Sequence, residues 1–333
     1  MKIGIISFAH MHAWSYAHCI IHNPLAELIG IADEDVIRGK RLAEEFGTQW
    51  HANYNDLLAL DLDAVIICSE NSKHAEISVA AAKAGKHILC EKPIATTIEE
   101  GLAMIHAAEA NNVKLMIAFP CRYHDVAIRM KEQVTNGEFG EIIAINGTNR
   151  GTMPGGWFIE QELSGGGAIM DHTVHVLDVM RWLMPGSEVK EVYAEADTLF
   201  HDIDADDSGL LTFEFDNGVI ASLDPSWSKS KSFPTWGDLT IEIIGTKGSS
   251  RIDLYKQAIT LHSDDTMKTT HEFWCADADQ GLIDSFIDCV VHDLPSPITG
   301  WDGLRAMEVA LYAYRSSKEK QPLIIARTER RSK

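Results

Sequence analysis

Apolar residues follow two different periods along the chain, and the change between them divides it. Before about residue 120, short β-rich runs occur at Lys2–Ser7, Glu27–Ala32, Asp63–Cys68, Lys86–Cys90 and Lys114–Phe119. Between them lie alanine-rich stretches of helical spacing, such as His74–Ala84 and Ile98–Asn111. Strands alternating with helices predict βαβ units and a parallel sheet. Right-handed crossovers place helices on both faces, which fits strand runs that are apolar almost throughout. Beyond Phe119 the pattern predicts a helix from near Tyr123 to Asn136, a strand from Glu141 to Thr148, a glycine-rich loop over Gly151–Gly167 and a helix over Ala168–Leu183. Several strand-like runs follow between Glu188 and Trp274, and Asp216-Asn217-Gly218 between two of them predicts a tight hairpin. Leu282, Ile283, Phe286, Ile287 and Val290 keep helical spacing and predict a helix covering this second sheet. A last helix is expected over Trp301–Ser317. The expectation is an α/β protein of two domains. Residues 1–120 form a Rossmann-type doubly wound parallel sheet; residues 121–333 form an α/β domain with a largely antiparallel, open-faced sheet.

Composition narrows the function classes. With 45% apolar residues in 333, the chain has core material for two domains. It has no apolar run of about 18 residues, so no membrane partner is expected. The opening MKIGIIS enters a strand without the parts of a signal peptide, and a cytoplasmic location is expected. A formal net charge of −20 repels nucleic acid. The basic cluster ARTERRSK at the end reads as a solvated tail, and a small neutral substrate fits the charge balance. Cysteines at 19, 68, 90, 121, 275 and 289 form no CxxC pair, so they read as reduced thiols rather than metal ligands.

The first strand-to-helix turn is where a dinucleotide fold carries G-x-G-x-x-G. Here that stretch is Ser7-Phe8-Ala9-His10-Met11-His12, with all three glycine positions substituted. Ser7 and Ala9 are small enough for close approach, and the helix N-terminus still presents N–H groups to a phosphate. His10 and His12 add possible donors or serve the structure. Asp33, ending the second strand, suits a ribose 2′-OH and repels a 2′-phosphate, so NAD is expected over NADP.

Residues 63–93, DAVIICSENSKHAEISVAAAKAGKHILCEKP, resemble the Gfo/Idh/MocA oxidoreductases, as do GEFGEI at 137–142, GGGAIMDHTVHVLD at 165–178, IEIIGTKGSSRID at 241–253 and WDGLRAMEVALYAYRSS at 301–317. The resemblance implies a nicotinamide-dependent dehydrogenase acting on a secondary alcohol of a sugar, inositol or polyol. The alternative is a cofactor- or sugar-binding regulatory protein of the same fold. It maps catalytic roles onto Lys92, Asp171 and His175: Lys92 touches cofactor and substrate, His175 moves the hydroxyl proton, and Asp171 orients. It also implies a cis bond before Pro93. Asp171 and His175 are i and i+4 on a helix and so share a face, which Asp178 continues as a structural residue. Gly165–Gly167 are expected to let a ligand approach that helix. The implied cofactor contacts are the residues from Ser7 to His12 with Asp33, Ser69, Asn71, His74, Glu91, Lys92 and Arg122; Asn71 and His74 read equally as helix caps. Tyr123, Trp157 and His172 join Lys92, Asp171 and His175 on the substrate side, with Trp157 alternatively an anchor for its loop. Asp171, His172 and His175 make a conceivable metal set, but His172 turns about 100° away on a helix, and no metal is expected. The uncovered sheet face and the resemblance together imply a homodimer or homotetramer.

Overall fold

The computed structural model describes residues 1–256, 258–265, 267–273 and 277–328; Trp274, Cys275 and the end of the basic tail lie outside these. The first part runs β1 (Lys2–Ile6), α1 (His12–His22), β2 (Glu27–Ala32), α2 (Val36–Glu45), β3 (Gln49–His51), α3 (Tyr54–Leu58), β4 (Ala64–Ile67), α4 (His74–Lys83), β5 (His87–Cys90), α5 (Ile98–Ala110) and β6 (Leu115–Ile117). Its six strands are all parallel, in the order β3-β2-β1-β4-β5-β6. The AVII of β4 is wholly buried, as both-face coverage requires. Strand order reverses between β1 and β4, and ligands of such sheets bind in the crevice this opens at the strands' carboxyl ends. Ser7, Asp33, Ser69 and Glu91–Pro93 all follow strand ends on that edge.

The second part holds α6 (Asp125–Thr135), β7 (Ile142–Gly151), α7 (Gln161–Ser164), α8 (Ala168–Leu183), β8 (Val189–Asp197), β9 (Ser208–Phe215), β10 (Ile220–Asp224), β11 (Gly237–Gly245), β12 (Ser249–Asp253), β13 (Ala258–Ser263), β14 (Lys268–Phe273), α9 (Ala278–Val291), α10 (Gly300–Glu319) and β15 (Leu323–Ile324). Seven strands form one sheet, β12-β11-β7-β10-β9-β8-β15, antiparallel except where β10 runs parallel to β7. The expected hairpin joins β9 to β10, with Gly218 at φ +87° in the turn. β13 and β14 pair separately.

One expectation fails here. The helix over 278–291 does not cover the seven-stranded sheet; α8 and α10 do, while α9 packs on α1 and on the 3₁₀ turn Pro120–Tyr123. Polar contacts fix it there: Ser15 Oγ donates to Asp279 at 2.6 Å, and Asn23 Nδ2 to Asp284 at 2.7 Å. Periodicity tells which face of a helix is apolar, not which neighbour fills it. Among the described residues, no helix is long and apolar enough to cross a membrane.

Candidate active site

Lys92 is placed by what surrounds the end of β5. The Lys92–Pro93 peptide is cis. The buried ring of His74, at the start of α4, sits between two carbonyls, with Nδ1 2.9 Å from Pro93 O and Nε2 3.3 Å from Ser69 O. Its work is to hold this turn. Lys92, 4% exposed, donates from Nζ to Asp171 Oδ1 at 2.6 Å.

Asp171 belongs to the first turn of α8, a helix started by three glycines. A Cβ on Gly167 would lie 2.0 Å from the Asp206 carbonyl oxygen, and one on Gly165 or Gly166 would meet Thr96 or Tyr314. These glycines therefore admit neighbouring protein rather than a ligand, contrary to the expectation above. The Asp206 carboxylate accepts from Gly167 N and Ile169 N, both at 2.8 Å, and so caps α8 from another loop. Asp171 Oδ2 accepts from Trp227 Nε1 at 3.2 Å and lies 3.2 Å from His172 Nε2. Burial pushes the Asp171 carboxyl up, but Lys92 and His172 outweigh it and hold it well below the usual range. His172 is fully buried, with Nδ1 2.9 Å from Pro225 O and its ring against Trp227 and Trp236. It supports Asp171 from behind and does not line the cavity.

His175, one turn along α8, opens on a cavity of about 790 Å³ shared with Lys92, Asp171, Cys121, Asn149 and Trp236. Its Nδ1 lies 3.7 Å from Cys121 Sγ. Burial, then the Lys92 charge, pushes the imidazole well below its ordinary value of 6.5, so the ring is neutral. A carboxylate-held ammonium and a neutral imidazole beside one cavity are the parts needed to polarise a hydroxyl and take its proton.

The first-turn loop keeps a glycine-like backbone without glycine: Ser7 has φ +68°. Phe8 buries its ring beside Phe46 and donates its N–H to Asp33 at 2.9 Å. Ala9 N–H goes to Ser7 Oγ, His10 N–H to Cys68 O and His12 N–H to His10 Nδ1, at 3.1, 3.0 and 3.3 Å. Met11 is exposed at the cavity rim. Glu91 is fully buried and accepts from His12 Nδ1 at 2.9 Å. Burial lowers His10 to about 3, whereas for His12 the neighbouring Glu91 outweighs burial and raises the pKa. A second cavity, about 370 Å³, lies beside Ser7, Asp33, Arg38 and Ser69. There Arg38 grips Asp33 with two bonds of 2.8 Å.

Other predicted contacts are engaged elsewhere. Arg122, expected among the cofactor contacts, lies off both cavities and makes a two-pronged ion pair with the buried Asp178, at 2.7 and 2.5 Å. Tyr123 packs on Gly281 of α9 rather than into the cavity. Asn71 Nδ2 donates to Ser164 O at 2.8 Å, tying the first part to the glycine-rich loop. Trp157 donates from Nε1 to Ala9 O at 3.1 Å and stacks on Phe158, so Phe158 and not Trp157 faces the cavity. The residues that the sequence reading missed include Asn149, Trp236, His124 and Asp279, all on the cavity wall. They come from four different segments with no shared motif, and only the tertiary fold brings them together.

Comparison with known proteins agrees with this architecture. Residues 1–119 match the model of an oxidoreductase family with an NAD-binding Rossmann fold, and residues 127–251 match the GFO/IDH/MocA C-terminal domain. The chain is 31% identical to the uncharacterized oxidoreductase YrbE of Bacillus subtilis over 92% of each chain. It is 27% identical to a myo-inositol 2-dehydrogenase of Thermotoga maritima, covering 96% of this chain and 97% of that one. A scyllo-inositol dehydrogenase of Lactobacillus casei, solved with NAD(H) and scyllo-inositol, superposes with a TM-score of 0.85 at 23% identity over 98% of this chain and 99% of that one. NAD is thus the cofactor class. The residues present suit it: the left-handed Ser7 replaces the first glycine, and the cavity beside Asp33 opens at the strand ends where an adenosine ribose binds.

Proposed function

As the chain belongs to the Gfo/Idh/MocA oxidoreductase family, we propose that it oxidises a secondary alcohol of a sugar, inositol or related polyol. The observation that carries this reading is the convergence of Lys92, its partner Asp171 and a neutral His175 on one cavity. Bound NAD supplies the hydride acceptor. Lys92 donates a hydrogen bond to the reacting oxygen and eases the growth of negative charge on it. His175 takes the hydroxyl proton on Nε2, its other nitrogen being turned to Cys121. Asp171, held by Trp227, keeps Lys92 in place and its unshared lone pairs can take a neighbouring substrate hydroxyl. The test is NADH formation from NAD⁺ across a panel of inositols, aldoses and glycosides. NAD binding without turnover on any of them, together with tight binding of one, would move the protein to the non-catalytic sugar-binding class.

Self-association belongs to the same proposal. The sheet face away from α8 and α10 exposes Leu210, Ile220 and Ile244. A second copy of the chain covering that face would remove this apolar surface from water at about 25 cal/mol per Å² before association costs.

A further inference from the structure

We propose that His10, His12 and Glu91 form a site for one divalent transition-metal ion, open on the side of the large cavity. One ligand atom from each of these three side chains lies within 4.8 Å of the other two. Glu91 Oε1 is 2.9 Å from His12 Nδ1 and 3.8 Å from His10 Nδ1. Metal bonds of about 2.0–2.2 Å to imidazole nitrogen and carboxylate oxygen put neighbouring ligand atoms roughly 3–3.5 Å apart, so small rotations bring all three onto one ion. Two imidazoles and a carboxylate on one side of an ion are the donor set that leaves positions open for an oxygen ligand.

The surroundings favour an ion over a simple hydrogen-bonded cluster. Glu91 is a fully buried carboxylate, and a buried charge requires a compensating one. The adjacent Lys92 ammonium is committed to Asp171, so the group facing Glu91 is His12, 2.9 Å away, whose proton an ion would replace. His10 Nδ1 accepts the backbone N–H of His12 in a long contact of 3.3 Å, which leaves a nitrogen that an ion can compete for. Its ring is fixed against Phe158 at 5.4 Å and His12 at 4.4 Å. The second oxygen of Glu91 is steadied by the Lys92 N–H at 3.1 Å, the outer support that metal ligands need. An ion would displace the weak His12 N–H contact and the proton on His12 Nδ1, which moves to Nε2 or to solvent.

The position gives the ion a use. Four N–H groups of this loop are spent inside the protein, on Asp33, Ser7, Cys68 and His10. At a turn whose task is to face anionic oxygen, an ion on His10 and His12 adds positive charge to that of the N–H groups left free there. Its open positions point to the cavity that also receives Lys92 and His175.

Co²⁺ titrated into metal-stripped protein tests the site directly. The expected result is one equivalent bound, visible ligand-field absorption, proton release, and displacement by Zn²⁺. His12→Gly, which restores the residue type usual at that position, should weaken binding by more than about tenfold, as should Glu91→Gln. His10→Gln provides a third variant should either of these not fold, with far-ultraviolet circular dichroism as the check. His175→Asn, in the same cavity, should leave the absorption unchanged. Absence of ligand-field absorption, or Co²⁺ binding equally tight in the three cluster variants, overturns the proposal. Neither result bears on whether the protein oxidises a polyol.

Discussion

Replacing Arg122 with methionine separates the core role of this residue from the cofactor role its sequence position suggests. The Arg122 side chain is 9% exposed and that of Asp178 is fully buried. Their paired bonds are joined by a bond from Nη1 to Pro297 O at 3.1 Å. Arg122→Met leaves the Asp178 carboxylate buried without its cation, at a cost of about 3–5 kcal/mol. That is a large share of the roughly 5–15 kcal/mol by which a typical domain is stable. The pH dependence follows in sign. Burial already raises the Asp178 carboxyl against the pull of Arg122, and loss of Arg122 raises it further. The folded variant then binds a proton that the unfolded chain releases, so its deficit is full above the raised value and shrinks as pH falls through that value toward the ordinary carboxylate range. Urea unfolding of both proteins at pH 7 and pH 5 reads this, and Asp178→Leu added to Arg122→Met should recover most of the loss. An unchanged urea midpoint in Arg122→Met, with NAD affinity lost instead, would refute the reasoning.

The remaining predictions concern the reaction and its cofactor. His175→Asn should keep NAD affinity and lower turnover by about 10²–10⁴-fold. Since oxidation needs the neutral ring, activity in the wild type should persist until pH falls through a value below 6.5, and Lys92→Met should move that acid limb upward; a wild-type limb at or above the ordinary histidine value contradicts the assignment. Asp33→Ser should free the Arg38 guanidinium for a 2′-phosphate and shift relative affinity toward NADP by about 1.5–3 kcal/mol. Calorimetry with both dinucleotides checks this, and an unchanged ratio removes Asp33 from cofactor choice.

The parallel sheet was the most legible part of the fold, because strands covered on both faces leave runs such as AVII that no amphipathic helix would carry. Short elements with no period of their own, such as β3 and α3, were not legible. The direction in which an element packs was equally hidden: α9 shows its apolar stripe in the sequence, yet its partner α1 lies more than 250 residues away. Of the site, family-like segments pointed to Lys92, Asp171 and His175, which the fold brings to one cavity across a separation of 79 residues. Arg122 and Trp157 were ambiguous because a charged or aromatic residue near a site reads the same whether it faces a ligand or anchors the wall. The pairing of His12 with Glu91, also 79 residues apart, has no local signal.

His74 carries a constraint on how this chain is able to change over generations. Its ring bridges the carbonyls of Pro93 and Ser69, two loops that end neighbouring strands, while meeting neither cavity. Burial lowers its pKa, so the neutral ring donates to one of these carbonyls and packs against the other. A smaller side chain here would loosen the turn that carries Lys92, although the position itself meets neither cavity. A change of substrate would be met at the cavity wall, at Asn149 or Trp236, and not at this histidine.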